Sequence, residues 1–223
     1  MPKTVTLTSL TDQAKQRADM VNSSFVSATE WTQYINNSWC ELYDLLISAY
    51  GSDYYSSTDT ITTVSGTASY ALPADHYKTV GIDYVVSSTE KYPLDRYAFR
   101  DRNLRNNAYL NRSYFPNYKY RITGNNVVLS PTPNEIITLE HIYIPVAQEM
   151  TIGADTIDGV NGFEEYIVVD AAIKALQKEE SDVSVLMAQK DRLRKRLEEM
   201  AEDRNAGDSD MVTDVTGYFD YVR

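Results

Sequence analysis

Imidazoles and thiols, the groups that most often carry catalysis near neutral pH, are scarce in this chain: His76, His141 and Cys40 are all it has among 223 residues. Neither histidine lies in an H-E-x-x-H or C-x-x-C context, so the sequence offers no zinc site and no Cys–His nucleophile pair. A histidine satisfied inside the fold is the expectation for both. No G-x-S-x-G elbow, Walker-type loop or G-x-G-x-x-G occurs, which removes the usual devices for acyl transfer and for holding phosphates. Carboxylates are plentiful, and two groups draw notice: Asp155, Asp158, Glu164 and Glu165, then Glu179, Glu180 and Asp182. Paired carboxylates can hydrolyse glycosides, and a carboxylate-dependent hydrolase would lean on Asp158 or Glu164. Acidic residues at helix starts also offset the macrodipole, which is the simpler account. Asp155 to Gly159 has part of a calcium loop's composition but lacks its alternating oxygen ligands and closing glutamate. The sequence therefore assigns no catalytic residue, no cofactor and no metal, and the chain reads as a non-enzyme.

The remaining chemistry belongs to surfaces. Lys and Arg number 21 against 32 Asp and Glu, a net charge of -11, which disfavours tight duplex binding because nonspecific affinity comes from cations displacing counterions from phosphates. Against that background Arg96, Arg100, Arg102 and Arg105, with Arg112 beyond, are interleaved with Tyr97, Phe99, Tyr109 and Tyr114. Such a segment can hold nucleic acid by phosphate contact and stacking. It can equally dock on an acidic neighbour, and since the rest of the chain is acidic, copies could meet head to tail and close into a ring. Protein docking is the favoured reading. Lys190 to Arg196 reads as the solvated face of a helix. After Gly207 comes a polar stretch ending in Tyr218, Phe219, Tyr221 and Val222, too sparse to build its own core. The 18 tyrosines suit half-exposed sheets, subunit interfaces or carbohydrate stacking.

The elements that must position these residues follow from periodicity. From Ser27 to Tyr50, Trp31, Ile35, Trp39, Leu42, Leu46 and Ala49 recur at steps of three and four, so one helix face is apolar. Ser27 with Glu30 forms a capping box before it and Gly51 follows it. Cys40 falls in this pattern and is expected to be buried. A shorter helix is expected over Ser9 to Val21. Between Tyr54 and Pro145 the pattern becomes β-branched and aromatic, with strands expected over Thr60 to Val64, Ser69 to Leu72, Tyr77 to Val86, Tyr118 to Ile122, Val127 to Leu129 and Ile136 to Ile144. The Gly124-Asn125-Asn126 turn reads as a hairpin. Asp95 to Asn107 is expected as a short helix or exposed loop. Helical spacing returns with an Asn161–Glu164 capping pattern and the stripe Val169, Ala172, Ile173 and Leu176. A last helix follows Ser181-Asp182, with Val183, Leu186, Met187, Leu193, Leu197 and Met200 on its seam and Lys190 reaching along the seam's edge. The short connection predicts an antiparallel hairpin of these two helices.

These readings combine into an α+β expectation: an antiparallel helical bundle built from both ends of the chain, with an inserted β-rich lobe and an extended C-terminal tail. The expected boundaries are 1–53 for the N-terminal helices, 54–150 for the lobe, 151–207 for the C-terminal hairpin and 208–223 for the tail. Trp31, Ile35, Trp39, Leu42, Leu46, Val169, Ile173, Leu176, Leu186, Leu193 and Leu197 are the expected helical core. Residues 1–10 show no basic segment followed by an apolar run, and no stretch approaches bilayer-spanning length, so synthesis in a cytoplasm without a membrane step is expected.

Three blocks carry a resemblance. Trp31-Thr32-Gln33-Tyr34-Ile35-Asn36-Asn37-Ser38 with Glu41-Leu42-Tyr43-Asp44-Leu45-Leu46 resembles the first long helix of the head-to-tail adaptor (connector) proteins of tailed bacteriophages. Tyr70-Ala71-Leu72-Pro73-Ala74-Asp75-His76-Tyr77-Lys78 resembles that family's strand entry, with His76 where an aromatic is usual. Glu164-Glu165-Tyr166-Ile167-Val168-Val169-Asp170-Ala171-Ala172-Ile173-Lys174 resembles its later helix. The blocks span about Glu30 to Arg204, and their order and spacing make the match. The resemblance implies a structural virion protein in the neck between head and tail, made in the host cytoplasm. It further implies a dodecameric ring under the portal that contacts a tail or nozzle protein and continues the DNA channel, so that DNA passes without sequence-specific binding during genome ejection. It implies a C-terminal segment gripping the portal, here with Tyr218, Phe219, Tyr221 and Val222 as anchors. A carbohydrate-binding module using the tyrosine-rich β-lobe is the alternative; it leaves the helices unexplained.

Overall fold

The computed structural model describes residues 4–102 and 118–202. Its elements in chain order are β1 (Thr4–Thr6), α1 (Leu7–Arg17), α2 (Ala28–Tyr50), β2 (Ser57–Thr62), β3 (Ser69–Ala71), β4 (His76–Val85), β5 (Lys91–Pro93), β6 (Asp95–Arg96), β7 (Lys119–Thr123), β8 (Asn126–Ser130), β9 (Thr138–Pro145), β10 (Thr156–Asp158), α3 (Glu164–Lys178) and α4 (Ser184–Glu202). The fold is mixed α+β, with ten strands in three sheets beside four helices among the described residues. This corrects the expectation of a helical bundle carrying an inserted lobe. Strand makes up 27% against 39% helix, so β-structure is no appendage, and one of the three sheets is formed by β1 and β10, which border helices α1 and α3 in the chain. The physical reason is that α4 is a poor bundle member: Leu197 is buried, Leu186 and Leu193 are half-buried, and Val185, Met187 and Met200 are exposed.

Contacts divide the described residues into two compact units, one drawn from the chain up to Gly51 and from Gly153 onward, the other spanning Ser52–Ile152. In the first unit, α2 starts where the capping box places it. The Ser27 N–H donates to Glu30 Oε2 at 2.8 Å and the Glu30 N–H to Ser27 Oγ at 3.3 Å, satisfying amides that the first turn leaves orphaned. Its end is at Gly51, whose φ of 100° few other residues adopt. Trp31, Ile35, Trp39, Leu42 and Leu46 are buried along α2, each large side chain contributing roughly 1.5 to 3 kcal/mol. Helix α3 packs against α1, α2 and α4, and accordingly Tyr166, Ile167, Val168, Val169, Ala171, Ala172, Ile173 and Ala175 are buried almost all round it; Leu176 is half-buried.

Several local expectations are corrected here. Cys40 is exposed, because it lies off the buried stripe of α2. The first helix runs from Leu7 to Arg17, capped by Thr6, whose side chain accepts from the Ser9 N–H. Asn161 does not cap α3: it adopts φ 49° in a short 3-10 turn, and the helix begins at Glu164 behind Phe163 with no side-chain cap.

The second unit is built from two four-stranded sheets, ordered β2-β9-β4-β5 and β3-β8-β7-β6. They share one apolar cluster, Ile61, Leu72, Ile82, Tyr118, Tyr120, Val127, Leu129, Ile137 and Leu139. Alternation explains the arrangement: Leu139, His141 and Tyr143 on β9 are buried while Glu140 and Ile142 between them are half-buried. β7 and β8 form the hairpin around Gly124, at φ 58°. The expected loop or helix after Asp95 resolves, within the described residues, into β6, which pairs parallel with β7, and a 3-10 turn over Phe99–Asp101.

Candidate docking surfaces

The basic segment begins on β6 and continues through the 3-10 turn. Arg96, Arg100 and Arg102 are all exposed, and Arg105 and Arg112 lie outside the described residues, as do Tyr218, Phe219, Tyr221 and Val222. The turn projects Phe99, which is 59% exposed. The Arg102 guanidinium sits 4.3 Å from the centre of that ring and donates to the Phe99 carbonyl at 3.1 Å, while Arg121 from β7 lies 5.2 Å from the ring. Arg100, whose side chain is 88% exposed, has Asp101 at 3.5 Å. Two guanidinium planes on one exposed aromatic, with a third arginine in solvent, have the composition of an interface anchor. Sequence reading missed Arg121, because only the β6–β7 pairing brings it to Phe99. The signal available was its place on a strand next to the hairpin.

In the helical unit, Asp170 on α3 is the centre of a buried ionic network. Its side chain is only 4% exposed. Lys174 reaches one carboxylate oxygen at 2.5 Å and Lys190 of α4 the other at 2.6 Å, while the Ser38 hydroxyl of α2 donates at 2.6 Å. Lys190 also pairs with Glu41 at 2.9 Å, and the Tyr166 hydroxyl donates to Glu41 at 3.2 Å. Burial pushes the Asp170 carboxyl up, but the hydrogen bonds from Lys174, Lys190 and Ser38 outweigh it and hold the group below its ordinary value. Burial likewise pulls Lys190 down, and the bonds to Asp170 and Glu41 raise it above the usual lysine value. Lys190 thus does not run out along the seam's edge; its ammonium turns onto α3 and α2. A cleft of about 410 Å³ beside it is lined by both signs of charge, an arrangement that fastens helices rather than selecting a ligand of one charge. At the start of α2, Glu30 is held down at about 2, first by the hydrogen bond from Lys178 and then by those from Ser27.

The β-unit contains the polar cluster that the sequence left as two unrelated histidines. Thr79 Oγ1 lies 2.9 Å from His76 Nε2 and 3.1 Å from His141 Nε2, and the rings stack with centroids 5.5 Å apart. Tyr143 stacks on both rings and donates its hydroxyl to Asp75. His141 is fully buried, and its Nδ1 has no partner among the described residues. One hydroxyl proton cannot serve two Nε2 lone pairs, so at least one of the two rings donates to Thr79. A bare lone pair at a buried Nδ1 is less costly than an orphaned N–H, so His141 carries its proton on Nε2 and donates to Thr79. Burial, then the neighbouring His76, pulls His141 down to about 4, against a smaller upward pull from Asp59. His76 is lowered too, chiefly by burial.

Among the described residues, no group of three or more His, Cys, Asp or Glu side chains could hold a metal ion, and no helix is long and apolar enough to cross a membrane. The acidic groups Asp155/Asp158 and Glu179/Glu180/Asp182 form no such cluster. Comparison with known families matches residues 5–215 to a model described as SU10 adaptor protein. No curated protein matches the chain.

Proposed function

The chain belongs to the SU10 adaptor protein family of tailed-phage head-to-tail adaptors, and from that premise we propose that it joins portal to tail as a ring in the virion neck. In this reading copies associate around the axis, the ring continues the DNA channel, and the net charge of -11 lets DNA slide past without adhering. The observation that supports it best is the exposed Phe99 with Arg100, Arg102 and Arg121, a basic aromatic anchor on an otherwise acidic chain and so complementary to a second copy or to an acidic partner. Residues Tyr218, Phe219, Tyr221 and Val222 serve as the portal anchors, since a segment that orders on binding needs aromatic contacts to offset its ordering cost. The protein acts as a structural component with no chemical step. The carbohydrate-binding alternative is less favoured, because Tyr54, Tyr118, Tyr120 and Tyr143 of the β-unit are buried and, among the described residues of that unit, Tyr77 and Tyr92 are the exposed tyrosines.

Mass photometry of the purified protein, alone and mixed with portal rings of the same phage, tests the reading. The expected result is a portal peak shifted by many adaptor masses, reduced when Arg100 and Arg102 are changed to Glu. A portal peak left in place at saturating adaptor overturns it.

A further inference from the structure

The two sheets of the β-unit have four edge strands, and three are protected. β3 and β5 are three residues long, β5 carrying Lys91 and Pro93, and β6 has two residues. Short edges, lysine and proline are the ordinary means of blocking edge-to-edge pairing. β2 has none of these. It is six residues long, Ser-Thr-Asp-Thr-Ile-Thr, and pairs with β9 in unbroken register from Ser57↔Tyr143 to Thr62↔Thr138. Its hydrogen-bond phase is set by the Thr63 N–H donating to the Ile137 carbonyl at 2.9 Å. In an antiparallel ladder the bonded pairs then alternate as 61↔139, 59↔141 and 57↔143. Thr58, Thr60 and Thr62 therefore turn their N–H and C=O groups away from β9, and all three residues are exposed. The strand's one charge, Asp59, does not guard this edge, since it alternates with the threonines on the other face of the sheet and is half-buried.

We propose that this edge receives an extended strand, and that its occupant is the 211–216 segment of a second copy of the chain. That segment reads Met211, Val212, Thr213, Asp214, Val215, Thr216. It matches β2 in length, is dominated by β-branched residues, has no lysine, proline or glycine inside it, and is followed by Gly217, which ends the run. The chain is described as far as Glu202 within α4, so eight residues separate the described part from the segment, a span of up to about 25–30 Å that leaves a second copy within its range. Main-chain bonds to Thr58, Thr60 and Thr62 supply the affinity, as in other strand additions, and the strap ties neighbouring subunits together while leaving Tyr218 to Val222 for the portal. The inference rests on the ring reading for its second copy, but its test contains no portal, so the two can fail separately.

The test is amide hydrogen exchange at Thr58 and Thr62 in the full chain. Three proteins are compared: the wild type, a variant with 211–216 replaced by alternating Gly and Ser, and Thr60→Pro. Proline at 60 removes an outward N–H only, so the β2–β9 ladder survives; protection of the Leu139 amide reports this. Thr60→Lys, which keeps the backbone and adds an edge charge, serves if it does not. The wild type is expected to show exchange at Thr58 and Thr62 slowed at least about tenfold, increasingly so with concentration, and both variants to lose this. Mixing the Gly/Ser variant with Thr60→Pro restores protection to the former, because one contributes the edge and the other the segment. Fast exchange in the concentrated wild type, protection that survives replacement of 211–216, or no rescue on mixing each overturns the proposal.

Discussion

Both units bury polar groups, and they satisfy them differently. Around Asp170 the carboxylate is answered by three donors, two lysines and a serine, with Glu41 and Tyr166 behind Lys190. Around His141 one threonine hydroxyl serves two imidazoles, and Nδ1 is left with no partner among the described residues. The first arrangement is redundant and ties α2, α3 and α4 into one polar joint. The second is a chain with a single link, and it stays inside the fold only while both rings remain neutral. The helical unit should therefore resist acid and yield to loss of its carboxylate, and the β-unit should yield to acid and to loss of its one hydroxyl.

The largest effect is expected from Asp170→Ala. Removing the carboxylate leaves two ammonium groups converging with only Glu41 to answer both, and breaking such a buried pair costs about 3 kcal/mol or more; partial exposure of both lysines limits it to the lower end. Urea unfolding followed by helical circular dichroism should show the midpoint fall, with Asp170→Asn intermediate. An unchanged midpoint would mean that the lysines rehydrate freely and that the joint is ornamental.

Acid comes next, and it should separate the two units. His141 has a folded value of about 4, below its ordinary 6.5, so the unfolded chain takes up a proton before the folded one does. Stability is then full above about pH 6.5 and is lost as pH falls toward 4, by an amount on the order of 2–3 kcal/mol. Asp170, also lowered, behaves in the same direction but in a lower window: its contribution is present above the ordinary carboxylate range and goes only as pH falls through it. Amide protection near Leu139, relative to the intrinsic exchange rate at each pH, should fall between pH 6.5 and 4 while that near Val169 holds. His141→Phe should abolish the acid sensitivity of the β-unit, and its persistence would place the responsible group elsewhere.

What could be read beforehand follows the same division between local and distant causes. Helix α2 was legible at both ends, since Ser27, Glu30 and Gly51 act within a few residues of one another. The hairpin around Gly124 was legible for the same reason. β1 and β10 were not, because three-residue strands about 150 positions apart are fixed by pairing rather than by pattern, and with them went the expectation of a bundle with an inserted lobe. The Asp170–Lys190 joint was half visible: each is a charge set in an apolar helical stripe, and opposite charges on two seams due to meet predict a pair. The histidine cluster gave no comparable sign, as His76 and His141 meet only through the β4–β9 register. The open edge of β2 likewise depends on sheet order, which no local pattern in Ser57 to Thr62 reveals.

Removing one hydroxyl from each site sharpens the contrast at the smallest scale. Thr79→Val keeps the shape and deletes the hydroxyl that bridges the imidazoles, so His141 Nε2 loses its partner at a fully buried position; an unsatisfied group there costs about 2 kcal/mol. Ser38→Ala deletes a hydroxyl of a fully buried residue, but Asp170 keeps both lysines. The loss should be about 1 kcal/mol, the net worth of one hydrogen bond to a group already satisfied. Side-by-side urea titrations read the difference directly. Equal losses would mean that Asp170 depends on Ser38 as strictly as His141 depends on Thr79, and that the redundancy seen in the geometry carries no energetic weight. A smaller loss at Ser38 means that the helical joint tolerates deletion of a member.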